Sequence, residues 1–248
     1  GMGEVWRAVL HGPDGYNRAV ALKLLRAGPL DPEARRALMN EARLGALLRH
    51  PNVVATGALG ETDGRWHLAM ELVEGASVAA LAGGMPMPPR VVLEIGVQAC
   101  AGLAHIHALQ IDGRPAGLVH RDVKGQNLLV DKRGLVKVAD LGVAGFGDLT
   151  ERGVATAGYA APEQLDRRPE ARSDLFSLGV VLYLLATGRR PFGRGPDALH
   201  AVRESEARLA EPEFLSPVEE AVPGLGSVVA RCLRADPADR WANAHDLG

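Results

Sequence analysis

The chain has 248 residues, 47% of them hydrophobic and 23% charged, which is the composition of a globular protein able to bury a core. With 28 Lys plus Arg against 30 Asp plus Glu, the formal net charge is −2, which excludes the basic field of a nucleic-acid or membrane-surface binder. Cys100 and Cys232 each sit in an apolar helical pattern, make no disulfide framework, and read as buried free thiols of a reducing compartment.

The chain opens on GMGEV, and both ends read as cut; Gly1 precedes Met2, so Met2 is not taken as a start. Strands are expected at residues 4 to 10 (EVWRAVL) and 18 to 25 (RAVALKLL), joined by a hairpin turn at Asp14-Gly15. Residues 31 to 49 predict a helix, with Asp31 as N-cap, Pro32 at the first helical position and His50-Pro51 beyond its end. Two more strands are expected around 53 to 59 (VVATGAL) and 65 to 73 (RWHLAMELV), turning through Thr62-Asp63-Gly64.

After Glu74-Gly75 the composition shifts to helix. Residues 88 to 109 are apolar on more than one face, as a buried helix is. Short strands and loops follow at 118 to 130 and 135 to 141, then a Gly-rich connection to about residue 160. Residues 173 to 188 form a nearly all-apolar helix closed by Gly188 and Pro191; its length favours a core helix over a membrane span. Two amphipathic helices are expected to end the chain. The plan is α+β: a small antiparallel β lobe with one helix over residues 1 to 73, a hinge at 71 to 75, and a larger helical lobe over 76 to 248.

The polar residues of interest fall in order on this plan. HRDVKGQN, residues 120 to 127, packs His120, Arg121, Asp122, Lys124 and Asn127 between two apolar runs. By itself it reads equally as a charged surface loop or as side chains held for chemistry. The other stretches are weaker alone: Gly1-Met2-Gly3 is an ordinary turn, Lys23 ends an apolar strand, and Asp140-Leu141-Gly142 is a commonplace tripeptide. Together GMGEV, Val20-Ala21-Leu22-Lys23, Glu41, HRDVKGQN, Asp140-Leu141-Gly142 and Ala161-Pro162-Glu163 match a known signature set, and the chain resembles the catalytic domain of bacterial serine/threonine kinases of the eukaryotic type.

The resemblance covers nearly the whole chain as one catalytic domain, 1 to 248, beginning within the Gly-rich loop and lacking its first strand. It implies ATP as phosphoryl donor, Mg²⁺ as cofactor, and Ser/Thr hydroxyls of proteins as acceptors. Gly3 and Val5 then close the phosphate cover, and Lys23, paired with Glu41, positions the α/β-phosphates. Adenine lies against backbone groups of Glu71 and Val73, with Met70 behind it and Val5, Ala21 and Leu129 on its faces. Asp122 orients the substrate hydroxyl, Lys124 neutralises the γ-phosphate, and Asn127 and Asp140 are the metal ligands. His120 is implied as a buried scaffold residue, Arg240 as the ion-pair partner of Glu163, and Asp174 as a brace for the catalytic-loop backbone. Gly125 stands where the family usually has Pro. Thr156 and Tyr159 fit the substrate platform.

Arg121 beside Asp122 suggests control by phosphorylation, with Thr150 the candidate self-phosphorylation site. No nucleic-acid partner and no membrane span are expected, and a cytoplasmic segment is, with any anchor lying elsewhere in a parent chain. A binding module without turnover and a small-molecule phosphotransferase of related fold are the alternatives. Retention of Lys23, Glu41, Asp122, Asn127 and Asp140 argues against the first, and Ala161-Pro162-Glu163 with Arg240 and Asp174 against the second. The stretch 109 to 122 (LQIDGRPAGLVHRD) is longer than the family's usual approach to this loop and has no functional reading.

Overall fold

The computed structural model describes residues 3–25, 32–141, 158–193 and 197–248. The chain begins with strands β1 (Gly3–His11) and β2 (Asn17–Leu25), joined by a tight turn in which Asp14 and Gly15 both take positive φ. Asp tolerates that region because its short side chain bonds locally, and Gly has no Cβ to clash. Helix α1 (Pro32–Leu47) follows, then β3 (Thr56–Thr62) and β4 (Arg65–Glu71). The four strands form an antiparallel sheet in the order β1-β2-β4-β3. The expected N-cap Asp31 lies outside the described residues.

The third strand departs from expectation. It begins at Thr56, and Val53 and Val54, placed at its start from sequence, belong to the large lobe. Val53 bridges Val138, and the Val54 N–H donates to Val138 O at 2.9 Å. Both are buried. Their β-branched side chains met the strand pattern, but their partner is a strand far along the chain, which periodicity does not reveal.

The lobes connect through residues 72 to 74 into β5 (Gly75–Ser77), which pairs with β8 (Leu128–Asp131) and through it with β9 (Val136–Val138). Gly75 is required by close approach: a Cβ there would lie 1.8 Å from Val130 O. Short helix α2 (Val78–Ala82) is capped by Ser77, whose Oγ accepts from Ala80 N, and was not foreseen from sequence. Helix α3 (Pro89–His107) follows. The stretch without a reading is a two-strand hairpin, β6 (Gln110–Ile111) and β7 (Arg114–Pro115), turning at Asp112-Gly113 with φ of 51° and 74°.

The large lobe is organised on α5 (Ala171–Thr187), which follows the short α4 (Pro162–Leu165). Leu175, Phe176, Leu178, Val180 and Val181 are fully buried, and α3 packs against this helix. Phe176 stacks on Phe192 at 5.6 Å between centroids. Each such burial contributes roughly 1.5–3 kcal/mol. The helix ends at Gly188 in the left-handed region, as the sequence indicated.

The two expected closing helices are instead five short ones among the described residues. These are α6 (Asp197–Arg203), α7 (Ser205–Leu209), α8 (Pro212–Ala221), α9 (Leu225–Cys232) and α10 (Ala244–Leu247). Pro212, Pro223 and Pro237 break what a helical period alone would join. No helix among the described residues is long and apolar enough to cross a membrane. Cys100 and Cys232 are buried free thiols; burial pushes the Cys100 thiol up to about 12, and the Cys232 thiol up as well.

Candidate active site

The upper wall comes from strand register. Val5 lies opposite Lys23, which lies opposite Leu68; Arg7 lies opposite Ala21, which lies opposite Met70. Residues opposite each other or two apart share a face, so Val5, Ala21, Lys23 and Met70 all project from one side of the small sheet. Gly3, at the start of β1, is paired with Leu25. Glu71 projects from the opposite side, where its carboxylate pairs with Lys137 Nζ at 2.9 Å. The Glu71 N–H donates to Ala55 O at 2.8 Å.

Lys23 Nζ reaches across to Asp140 Oδ1 at 2.9 Å and so ties the small sheet to the large lobe. Asp140 follows β9 with φ of 57°. Ala139, just before it, donates its N–H to Asn127 O at 2.8 Å and accepts from His120 Nε2 at 2.9 Å. These bonds hold Asp140 beside the HRDVKGQN loop. Glu41 lies on α1; its side chain is outside the described residues, as are Gly142 and Thr150.

Within the loop, Asp122 is the centre. Its carboxylate accepts from Lys124 Nζ at 2.9 Å on Oδ1 and 2.8 Å on Oδ2, and from Asn127 Nδ2 at 2.9 Å on Oδ2. Asn127 Nδ2 also donates to Asp122 O at 2.8 Å. Both hydrogens of that amide are spent, which assigns its orientation and leaves Oδ1 as the atom on offer to a cation. With the Asp140 carboxylate this makes a hard-oxygen pair of the kind Mg²⁺ takes when phosphates and water supply its other ligands. Leu129, two residues on, lies in β8 opposite Lys137.

His120 is fully buried. Its Nε2–H donates to Ala139 O, and its Nδ1 accepts the Asp122 N–H at 3.2 Å. Both ring nitrogens are thus engaged in holding the loop, which agrees with the scaffold role implied from sequence.

The loop's backbone is strained at Arg121, with φ of 67°, at a cost of about 1–3 kcal/mol for a non-glycine residue. Asp174 offsets it. This fully buried carboxylate accepts from His120 N and Arg121 N at 2.8 Å each, and His107 Nε2 meets Oδ2 at 2.8 Å. Arg121 O accepts from Gln164 Nε2 at 3.1 Å, and Ser177 Oγ donates to Tyr159 O at 2.7 Å. Helix α5 therefore anchors both the catalytic loop and the segment before Ala161-Pro162-Glu163.

His107, Gln164 and Ser177 were not singled out from sequence. Each reads as an ordinary helical polar residue, and only the distant partner reveals its task. Replacing His107 with Ala removes a hydrogen bond to a buried carboxylate, so unfolding free energy is expected to fall by about 1.5–3 kcal/mol. His107→Gln, which retains a donor, should recover part of this in urea titrations; equal stability of wild type and the Ala variant would contradict the assignment. Nearby, His50 stacks on His105 at 4.9 Å between centroids, and burial, then the charges of His105 and Lys137, lowers the pKa of His50.

Glu163 and Arg240 make a bidentate pair at 2.6 and 2.8 Å. The Arg240 side chain is fully buried and spends its five N–H groups, the other three going to the carbonyls of Arg234, Arg172 and Ala235. Ser173 Oγ donates to Glu163 Oε1 at 2.5 Å. The pairing implied from sequence is thus present. Thr156 lies outside the described residues, while Tyr159 is buried against the large-lobe core.

A two-lobed fold with a lysine-carboxylate bridge across its cleft, above a braced loop presenting a carboxylate, a lysine and an amide, defines a phosphoryl-transfer class of protein. The profile of the protein kinase domain matches residues 1–247, and the chain belongs to that family. It is 34% identical to the tyrosine-protein kinase MasK of Myxococcus xanthus, with 98% of this chain and 40% of that protein covered. It is 36% identical to the serine/threonine-protein kinase PknL of Mycobacterium tuberculosis, covering 94% of this chain and 58% of the relative. With the serine/threonine-protein kinase PrkC of Bacillus subtilis it shares 32% identity, over 93% of this chain and 36% of that protein. The chain thus spans between about a third and three fifths of these relatives. Among solved structures, the PknI kinase domain of M. tuberculosis matches with a TM-score of 0.74 at 26% identity, covering 99% of this chain and 88% of that one.

Proposed function

We propose that this chain transfers the γ-phosphate of ATP to serine and threonine hydroxyls of protein substrates, as a single catalytic domain hinged at residues 71 to 75. The observation that carries the reading is the Asp122–Lys124–Asn127 cluster, held by Ala139 and His120 beside the Lys23–Asp140 bridge. Adenine lies beneath the sheet face that bears Val5, Ala21 and Met70, with Leu129 on its other side. Because the Glu71 N–H is spent on Ala55, Glu71 recognises adenine through its carbonyl, and Val73 supplies the other backbone contact. Gly3 approaches the phosphates, and Lys23, supported by Glu41 from α1, holds them as a point charge.

Asn127 Oδ1 and the Asp140 carboxylate are the residues that would hold Mg²⁺, whose charge would offset that of the phosphates. Asp122 accepts the hydrogen bond of the incoming hydroxyl and takes its proton as the O–P bond forms. Lys124 stands between Asp122 and the γ-phosphate and offsets charge as ADP leaves. The relatives named above include both a tyrosine and two serine/threonine kinases. Lys124, two residues after Asp122, favours the latter. Acid hydrolysis of the labelled protein after incubation with γ-labelled ATP and Mg²⁺ decides: label in phosphoserine and phosphothreonine is expected, and label confined to phosphotyrosine would overturn the choice.

Thr150 is the proposed self-phosphorylation site, because it is the sole hydroxyl between residues 143 and 155 and Arg121 adjoins the catalytic carboxylate. Peptide mass mapping should find phosphate on Thr150, and Thr150→Ala should lower the rate toward an added substrate. Phosphate found only elsewhere, with an unchanged rate, would reject it.

A further inference from the structure

Residues 50 to 54, just beyond α1, form a seam between the small lobe and the large one. The Val54 N–H donates to Val138 O and the Val138 N–H to Asn52 O, each at 2.9 Å. Asn52 Nδ2 donates to Gln98 Oε1 on α3 at 3.0 Å and to Val136 O at 2.8 Å. The approach is close enough to need glycine on α3: a Cβ on Gly102 would lie 2.5 Å from Asn52 O. At one end of the seam is α1, which carries Glu41; at the other is β9, which leads within two residues to Asp140.

His50 opens this seam and is held by two contacts. Its ring stacks on that of His105 from α3, 4.9 Å between centroids and 24° between planes. Its Nδ1 accepts the Asn52 N–H at 3.1 Å, which places the proton of the neutral ring on Nε2. His50 is only partly buried, so solvent protons reach it. A proton taken up in acid arrives at Nδ1 and turns the acceptor into a donor that faces another donor. The charge it brings meets His105 from α3 and Lys137 from β9. Lys137 is itself engaged by the Glu71 carboxylate of β4, at 2.9 and 3.1 Å. Nε2 of His105 is buried with no hydrogen-bond partner among the described residues, so that ring brings no anion to the pair.

Resting on the kinase reading for its effect on transfer, we infer that the stacked His50–His105 pair is a proton-operated lock. Uptake of a proton at His50 Nδ1 releases the Asn52 N–H, loosens the seam between α1 and the large lobe, and lowers phosphoryl transfer. Burial, then the charges of His105 and Lys137, holds the His50 imidazole below its usual range. A histidine held low in the folded protein gives stability that is complete above about pH 6.5 and is lost as pH falls through that value toward the lowered one. The lock is thus closed at neutral pH and opens in mild acid, by up to about tenfold in the opening equilibrium per pH unit for one proton.

The test is hydrogen exchange of residues 50 to 56 in the full-length protein across about pH 5 to 8, corrected for the intrinsic pH dependence of exchange. Wild-type protection should fall about tenfold between the neutral and acid ends. His50→Asn, whose Oδ1 takes the Asn52 N–H but no proton, should change by less than about twofold. In His105→Phe, which keeps a ring in the stack without a charge, the fall should begin at higher pH, because one charge that opposes protonation is gone. Rates of transfer to a serine peptide read the consequence: normalised to the neutral rate, His50→Asn should exceed wild type by about fivefold in acid. Equal loss of protection in wild type and His50→Asn, or an unmoved midpoint in His105→Phe, would overturn the lock. Protection that behaves as expected with parallel rate profiles would overturn its control of transfer. Transfer at no pH would remove the kinase reading while leaving the lock.

Discussion

Asp122→Asn is expected to lower kcat for phosphoryl transfer by about 10²–10⁴-fold, the usual worth of a positioned general base, with the KM for ATP little changed. The split follows from geometry. Asp122 meets Lys124 and Asn127. On the proposed reading it takes the acceptor hydroxyl, while the nucleotide falls to the small sheet and to Lys23 and Asp140, which the Lys23 Nζ–Asp140 Oδ1 bridge joins. The amide keeps the size of the carboxylate, so the loop should fold, but its nitrogen repels Lys124 and cannot take the hydroxyl proton. Steady-state rates at saturating ATP check this. A variant within threefold of wild type would move the role of base away from Asp122.

Arg240→Leu is expected to destabilise the large lobe by about 3–5 kcal/mol, because removing one partner of a buried pair strands the other charge. Here the loss goes beyond one pair: Glu163 keeps only Ser173, and three carbonyls on Arg172, Arg234 and Ala235 lose their donor. The thermal midpoint should fall by about 6–20 °C in a domain of this size. Combining it with Glu163→Leu should cost less than the two single changes added together, since neither then leaves the other unpaired. Additive losses, or an unchanged midpoint, would mean that the contact does not hold α4 to the rest of the lobe.

Much of the site was legible because phosphoryl transfer needs particular groups in a fixed order along the chain. HRDVKGQN, Asp140 and the pair Glu163 and Arg240 announce themselves by residue type and spacing, and the long apolar helix α5 by composition. The brace was half legible: Asp174 stood out at the head of that helix, but its partner His107 lies 67 residues earlier and looks like any helical histidine. Val53 and Val54 misled for a related reason. An apolar β-branched pair next to a strand is assigned to that strand by pattern, while the bond that decides, to Val138, is set by tertiary packing. The five short closing helices were merged because their apolar spacing stays in phase across Pro223 and Pro237. The neighbourhood of Gly125 was not readable at all. A glycine for proline in a loop signals loosening, yet the structure uses it to seat the loop on α2, where Gly125 O accepts the Ala79 N–H at 2.9 Å.

The most direct test of the account is the initial rate of γ-phosphate incorporation into a generic basic protein and into the protein itself, using the full-length protein with ATP and Mg²⁺. ATP-induced change in melting temperature is measured on the same samples, with Asp122→Asn in parallel. The account predicts repeated, Mg²⁺-dependent incorporation into serine and threonine that collapses in the variant while the ATP-induced rise in melting temperature persists in both. A clear rise without incorporation in the wild type would contradict it and leave a nucleotide-binding module with the architecture of a kinase.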